Sequence, residues 1–207
     1  MARGTSTYAR NGQVIVNIVG IDEVGRGCWA GPLVAGAVLL HPDFVTDDSH
    51  RLWKLGDSKK LSKKQRELAD THIRDEALAY GLGWVSPEEV DKLGLTQAVR
   101  LAMQRAVMQI KHIYEQIIID GDYNFLHDHP LASTLVKADS LIPSVSAASI
   151  IAKVARDNYM AELAQEHPEY GFEKHAGYGT KLHQQALAEF GITMHHRRSY
   201  KPIQRYS

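Results

Sequence analysis

Apolar residues in this chain gather in short unbroken runs, separated by stretches whose apolar positions recur at helical spacing. Residues 14–21 (VIVNIVGI) and 33–40 (LVAGAVLL) are aliphatic, rich in β-branched side chains and punctuated by Gly or Pro, so each predicts a buried strand. A glycine-rich turn joins them. Ser62 is placed to cap a charged, helix-favouring stretch reaching about Ala79, and a third strand is expected over 80–85. Ser86-Pro87-Glu88-Glu89 combines capping-box spacing with proline at the first helical position, which starts a helix there. That helix is expected to run, with a break around Gly94, to about His112. Residues 116–120 (QIIID) and 134–138 (TLVKA) predict two more strands, ending on Asp120 and running into Asp139. Val145 to about Gln165 and Lys181 to Phe190 read as helices. Strands that come in a run and then alternate with helices argue for an α/β sheet with helices packed against it. Residues 1–165 are expected to form the main domain, and 166–207 a small helical, basic region packed on it.

Composition narrows the choice. The chain has 207 residues, 44% apolar and 23% charged, which suits a soluble globular protein of one domain or slightly more. Lys plus Arg equals Asp plus Glu at 24 each, so any attraction to a polyanion has to be local. Two local basic stretches exist. Arg51, Lys54, Lys59, Lys60, Lys63, Lys64 and Arg66 face one acid, Asp57, and the tail after Gly191 carries His195, His196, Arg197, Arg198, Lys201 and Arg205 with no acid. Either can contact phosphates or be no more than a solvated face. Cys28 is alone, which rules out an internal disulfide and a cysteine zinc site and fits a reducing compartment. No apolar run approaches the roughly 18 residues of a membrane span, and Met1 to Asn11 has no apolar signal core. A cytoplasmic protein with no membrane attachment is expected. The 11 histidines show no repeated ligand spacing, which disfavours a histidine-rich metal site.

The placement of acids is the most informative feature. Asp22 and Glu23 follow one strand, Asp120 ends a second and Asp139 follows a third. One acid after a strand is usually a turn residue or helix cap, but carboxylates from several strands can converge at one sheet edge. There they repel unless cations neutralise them, and hard oxygen ligands select Mg²⁺ or Mn²⁺. Two such ions support in-line phosphoryl displacement. Neighbours on a regular strand point to opposite faces, so Asp22 or Glu23 must leave the pleat or act through a carbonyl or a water. Asp122 competes with Asp120, and Gly121 favours a strand end at Asp120. Gly25-Arg26-Gly27-Cys28-Trp29-Ala30 fits a loose dinucleotide-binding pattern, with Asp47 and Asp48 downstream. Gly31-Pro32 and a β-rich run follow it instead of the required helix, so that reading is rejected. Gly25 to Gly27 are left to bring backbone groups close to a ligand. Tyr178, between glycines on an expected mobile loop, can stack on a base or sugar. Ser146, Ser149, Lys153 and Asp157 share a narrow arc of the long helix, a polar stripe that can face phosphate.

These residues together resemble bacterial ribonuclease HII, of the type 2 ribonuclease H family. The matching blocks are Gly20-Ile21-Asp22-Glu23-Val24-Gly25-Arg26-Gly27, Asp57-Ser58-Lys59-Lys60-Leu61, Asp120-Gly121, Lys137-Ala138-Asp139, residues 145–157 (VSAASIIAKVARD), Gly177-Tyr178 and His196-Arg197-Arg198-Ser199. The resemblance implies a ribonuclease H-like fold, a five-stranded mixed sheet flanked by helices. It implies cleavage of the RNA strand of RNA/DNA hybrids and incision 5′ of single ribonucleotides in duplex DNA, leaving 5′-phosphate and 3′-hydroxyl ends. Asp22, Glu23, Asp120 and Asp139 would then bind two divalent cations, with Asp157 in a supporting place. Gly25, Arg26 and Gly27 would read the ribose 2′-hydroxyl, Tyr178 would pack on the adjoining deoxyribose, and Lys59 would hold a phosphate. Nucleic acid is the implied partner and a monomer the expected state. The chain departs from the family pattern at Asp122-Tyr123, where Asn and a basic residue are usual, and at Ala176, where Lys is common. Another two-metal nuclease of this fold and a noncatalytic nucleic-acid-binding module are the competing readings.

Overall fold

The computed structural model describes residues 8–10, 13–41, 44 and 61–206. Two three-residue strands, β1 (Tyr8–Arg10) and β2 (Gln13–Ile15), pair with each other alone. The main sheet holds β3 (Ile18–Val24), β4 (Leu33–Leu40), β5 (Ala77–Val85), β6 (Gln116–Asp120) and β7 (Ala132–Leu135) in the order β5-β4-β3-β6-β7. Pairings β5–β4 and β4–β3 are antiparallel, and β3–β6 and β6–β7 are parallel, so the sheet is mixed as expected. The helices are α1 (Lys63–Glu76), α2 (Pro87–Leu93), α3 (Leu95–Val107), α4 (Ala138–Leu141), α5 (Pro143–Glu166), α6 (Phe172–His175) and α7 (Lys181–Phe190).

β4 is buried along nearly its whole length, which is why it reads as an unbroken apolar run. Alternate residues feed two cores. Val19, Ile21, Leu33, Ala35, Ala37, Leu39, Ile117 and Ile119 pack with Ala98, Val99, Ala102, Met103 and Ala106 of α3 on one face. On the other face Val38 packs with Ala69 and Ile73 of α1 and with Ala147, Ala148, Ile150, Ile151 and Val154 of α5. Glycines set how closely α5 approaches: a Cβ on Gly20 would lie 2.1 Å from Val145 N, and one on Gly36 would lie 2.3 Å from Ala148 O. After α5 the chain builds a smaller cluster, in which Tyr170, Phe172, Leu187 and Ile203 pack on Ala30, Met160 and Leu163.

The predicted caps form. Ser62 and Ser86 each make a reciprocal capping box, with Gln65 and Glu89. Other boundaries differ. The expected strand 14–21 is split, because β2 ends at Ile15 and β3 begins at Ile18. Helix α1 stops at Glu76, since Ala77 is already extended and pairs with Leu40. The expected break at Gly94 is present, at φ +74°, and divides α2 from α3, but α3 ends at Val107 and not near His112. The strand expected over 134–138 is Ala132–Leu135, so Asp139 lies in the first turn of α4 and not at a strand end. The intervening Lys137 takes the left-handed conformation at φ +60°, which breaks the strand before Asp139.

Candidate active site

In the parallel ladder between β3 and β6, the last paired residues are Ile21 and Ile119. One step further along each strand come Asp22 and Asp120, on the same face of the sheet. Glu23 is on the opposite face, yet β6 stops at Asp120 and leaves that edge of β3 open, so all three acids line one cleft. The strand does not leave its pleat to do this: Asp22 pairs with Gly36 and Glu23 with Ala35 in unbroken register. Asp22 Oδ1 accepts from the Glu23 amide at 2.7 Å, and the Ser149 hydroxyl of α5 also hydrogen-bonds to Asp22. Burial pushes the Asp22 carboxyl up to about 7, helped by the charges of Glu23 and Asp120 and opposed by the Ser149 bond. Burial also raises the Glu23 carboxyl, against the pull of Arg26, whose Nη1 is 3.2 Å from Glu23 Oε1.

Asp120 Oδ1 accepts from the amides of Ala138 at 2.7 Å and Asp139 at 3.5 Å, so one carboxylate oxygen ties β6 to the start of α4. Asp139 therefore touches Asp120 through its backbone, while its own carboxylate accepts from Ser140 Oγ at 3.3 Å and is not among the groups lining the cleft. Asp122 is exposed and outside the cleft as well. Three carboxylates crowd one another at this end of the cleft, with Arg26 paired to Glu23, and clustered oxygen ligands suit a hard divalent cation.

The cleft continues past Gly25, Arg26, Gly27, Arg66, Ser149, Lys153 and Tyr178 into an adjoining groove that shares Arg66, Lys153 and Tyr178 with it. That groove adds Lys63, Asp157, Glu173, Lys174 and His175, so the end with three carboxylates passes into one where Lys63, Arg66, Lys153 and Lys174 outnumber the acids Asp157 and Glu173. Lys153 Nζ is held by Asp157 Oδ1 at 2.6 Å. Of the expected polar stripe, Ser149, Lys153 and Asp157 line this surface, whereas Ser146 is 1% exposed and lines neither part. Lys59 and most of the basic stretch 51–66 lie outside the described residues.

Two arginines hold the glycine turn from behind. Arg156 donates from Nε to Pro32 O at 2.8 Å, from Nη2 to Ala30 O at 3.1 Å and from Nη1 to Ala176 O at 2.9 Å. Arg197 donates to Gly31 O and, at 3.1 Å, to Arg26 O. Both side chains are fully buried, so Arg197 and the buried His196 are structural, and the tail's expected phosphate-facing surface is reduced to Arg198, Lys201 and Arg205. The sequence carried a signal for Arg156: it continues the i, i+4 row Ala148, Ala152, Arg156, Met160, which is buried throughout. Gly25 needs φ +90°, and its Cβ would strike Arg156 Nε at 2.5 Å, whereas a Cβ on Gly27 would meet only Tyr178 at 3.9 Å.

Tyr178 is not on a free loop. Its amide donates to His175 O at 2.9 Å, its carbonyl accepts from Thr180 N and His183 Nδ1, and its side chain hydrogen-bonds with Cys28. Gly177 O accepts from the amides of Trp29 and Ala30, which joins this loop to the glycine turn. The ring stays 42% exposed at the cleft wall.

A mixed five-stranded sheet with acids meeting where the parallel strands end, beside a basic groove, defines a nuclease of the ribonuclease H-like fold. A family profile described as Ribonuclease HII matches residues 19–203. A ribonuclease HII of Dichelobacter nodosus is 46% identical over 187 residues, covering 90% of this chain and 95% of that protein. Among solved structures, ribonuclease H2 from Pyrococcus horikoshii OT3 superposes with a TM-score of 0.73 at 26% identity, covering 92% of this chain and 96% of that one. Bst-RNase HIII, solved in complex with Mn²⁺, shares the fold at a TM-score of 0.71 and 18% identity, covering 92% and 69% of the two chains. The chain belongs to the ribonuclease HII family, metal-dependent endonucleases that cleave RNA in RNA/DNA hybrids, including embedded ribonucleotides.

Proposed function

We propose that Asp22, Glu23, Asp120 and Asp139 are the catalytic acids, that they hold two divalent cations, Mg²⁺ or Mn²⁺, and that the scissile bond lies 5′ of a ribonucleotide. The observation that carries this reading is the crowding of Asp22, Glu23 and Asp120 in one cleft, with burial holding the Asp22 carboxyl near 7. The cations those acids would hold would supply a more acidic bound water and stabilise negative charge on the phosphoryl oxygens and the leaving oxygen. Asp22 is presented by its Ser149 bond and by the Glu23 amide, Asp120 is fixed by the start of α4, and Asp139 reaches the site by a change of rotamer about that anchored turn. The backbone of Gly25, Arg26 and Gly27, clamped by Arg156 and Arg197, reads the ribose 2′-hydroxyl, the group that separates RNA from DNA. Gly27 has room for a sugar where a side chain would stand. Tyr178 packs on the deoxyribose beyond the junction, while Lys59 and Lys153 take phosphates, the latter aimed by Asp157.

Displacement at that bond leaves 5′-phosphate and 3′-hydroxyl ends. The partner is nucleic acid, either a hybrid or a DNA duplex carrying ribonucleotides. The lone, buried Cys28 suits a monomer working in the reducing cytoplasm. An end-labelled duplex with one ribonucleotide, run beside its all-DNA counterpart in Mg²⁺ and in Mn²⁺, tests the reading. A single nick 5′ of the ribonucleotide and none in the all-DNA duplex is expected. Cutting both duplexes alike would instead favour a general two-metal nuclease.

A further inference from the structure

Helix α5 runs on for 13 residues past Lys153, about 20 Å at 1.5 Å per residue, before it ends away from the cleft. Its last residue is Glu166, and His167 caps it. The tail returns to this point and sets His195 beside them. One donor atom from each of Glu166, His167 and His195 lies within 4.8 Å of the others. The spacing 166, 167 and 195 carries no sequence signal, so only the tertiary fold reveals the group.

Three observations point from this group to a cation. First, the Glu166 carboxylate and the His195 ring make no hydrogen bond or ion pair among the described residues, so two of the three donors are uncommitted. Second, the last turn of α5 contains no basic residue, and Glu166 adds a negative charge at the helix end that is already negative. A cation there relieves both. Third, the backbone on each side is fixed without the side chains' help. His195 O accepts from the Gly31 amide at 2.9 Å, Arg197 N donates to Trp29 O at 2.8 Å, and Ala30 and His196 form a β-bridge. His167 Nδ1 also lies 3.5 Å from Glu169 Oε1, so a further carboxylate stands beside the ring.

We propose that Glu166, His167 and His195 form a second metal site, separate from the acidic cleft, that takes a Zn²⁺-class transition ion. Two imidazoles and one carboxylate match Zn²⁺, whereas Mg²⁺ prefers an all-oxygen shell. Bonds of about 2.0–2.1 Å place tetrahedral ligands about 3.3–3.4 Å apart. Rotation of the exposed Glu166 and the half-buried rings closes the remaining gap. A fourth position is left for water. The ion staples the end of α5 to the tail segment whose Arg197 holds the Arg26 carbonyl and whose His196 contacts His183 under Tyr178. It acts as a structural brace and takes no part in phosphate chemistry.

The test is calorimetric titration with Zn²⁺, and with Co²⁺ followed by visible absorption, on the full chain with Mg²⁺ in excess. One tight equivalent, a Co²⁺ spectrum of low-coordinate nitrogen and oxygen ligation, and a Zn²⁺-dependent rise in Tm are expected. Glu166→Gln and His195→Ala, each alone, weaken that equivalent by at least about tenfold, while Asp22→Asn leaves it unchanged. Glu166 is exposed, so Glu166→Gln decides the matter even where His195→Ala does not fold. Equal Zn²⁺ affinity in Glu166→Gln and the unaltered protein, or loss of the tight equivalent in Asp22→Asn, overturns the proposal. The first result leaves the reading of the acidic cleft untouched, and the second assigns the ion to that cleft.

Discussion

A carboxylate enclosed by protein and by other carboxylates favours its protonated form, and Asp22 is in that position. Its folded pKa of about 7 stands above an unfolded value near 3.9, so its contribution to stability is full below about pH 3.9 and is lost as pH rises through 7. Metal-free Asp22→Asn should therefore be the more stable protein at pH 8, an advantage that shrinks toward pH 4. Mn²⁺ should raise the Tm of the unaltered protein and not of the variant; thermal melts at the two pH values, with and without Mn²⁺, check both. The two glycines of the turn separate in the same way. Gly27→Ala meets nothing closer than 3.9 Å, so Tm should hold while cleavage at a ribonucleotide falls by about tenfold, the equivalent of roughly 1.4 kcal/mol. Gly25→Ala is strained at φ +90° and collides with Arg156, and should lose about 1–3 kcal/mol of stability in denaturant titrations. At this scale the sequence showed the acids through their position after apolar runs. It could not show that Glu23 reaches the cleft without leaving the pleat, because that depends on β6 ending one residue beyond its last partner.

Elements with strong local codes were legible and those settled by tertiary contact were not. Ser86-Pro87-Glu88-Glu89 starts α2 where its capping box says, because the signal is completed within four residues. By contrast Asp139 reads as a strand-end acid until Lys137 turns left-handed and Asp120 caps the four-residue helix behind it. Tyr178 reads as mobile because its loop is tied to Cys28, Trp29 and Ala30, about 150 residues away in the sequence. Arg156 links α5 to the turn between β3 and β4 through the Ala30 and Pro32 carbonyls, and to the loop before Tyr178 through the Ala176 carbonyl. Arg156→Met keeps the side chain's length but leaves those buried carbonyls short of a donor, at about 1–3 kcal/mol each. Urea unfolding should show a loss of at least about 3 kcal/mol, and the ribonucleotide-cleavage rate should fall with it, since the reading turn loses its backing.

Across the whole molecule, the C-terminal cluster depends on neutral histidines. His183 Nδ1 donates to Tyr178 O, so its Nε2 accepts from His196 Nε2–H at 3.0 Å, and His196 Nδ1 accepts from the Thr193 amide. Burial holds His183 down to about 4 and His196 to about 3, helped by His175 beside the first and by His183 and His195 beside the second. Unfolded histidines take protons near 6.5, so this contribution is whole above that pH and is lost as pH falls below it toward 4. Melts of Asp22→Asn between pH 8 and 5, which remove the opposing Asp22 titration, should show a Tm that falls with pH. A flat profile would mean that the pair is charged or exposed. The family's fold and hybrid-cleaving activity bind these scales together, and everything catalytic in the account depends on the acids at the ends of β3 and β6. The most direct measurement is the single-turnover rate of Asp22→Asn and of Asp120→Asn on a duplex with one ribonucleotide, beside circular dichroism of each. Folded proteins with rates lowered about a thousandfold or more are predicted; near-normal rates from either folded variant would contradict the account.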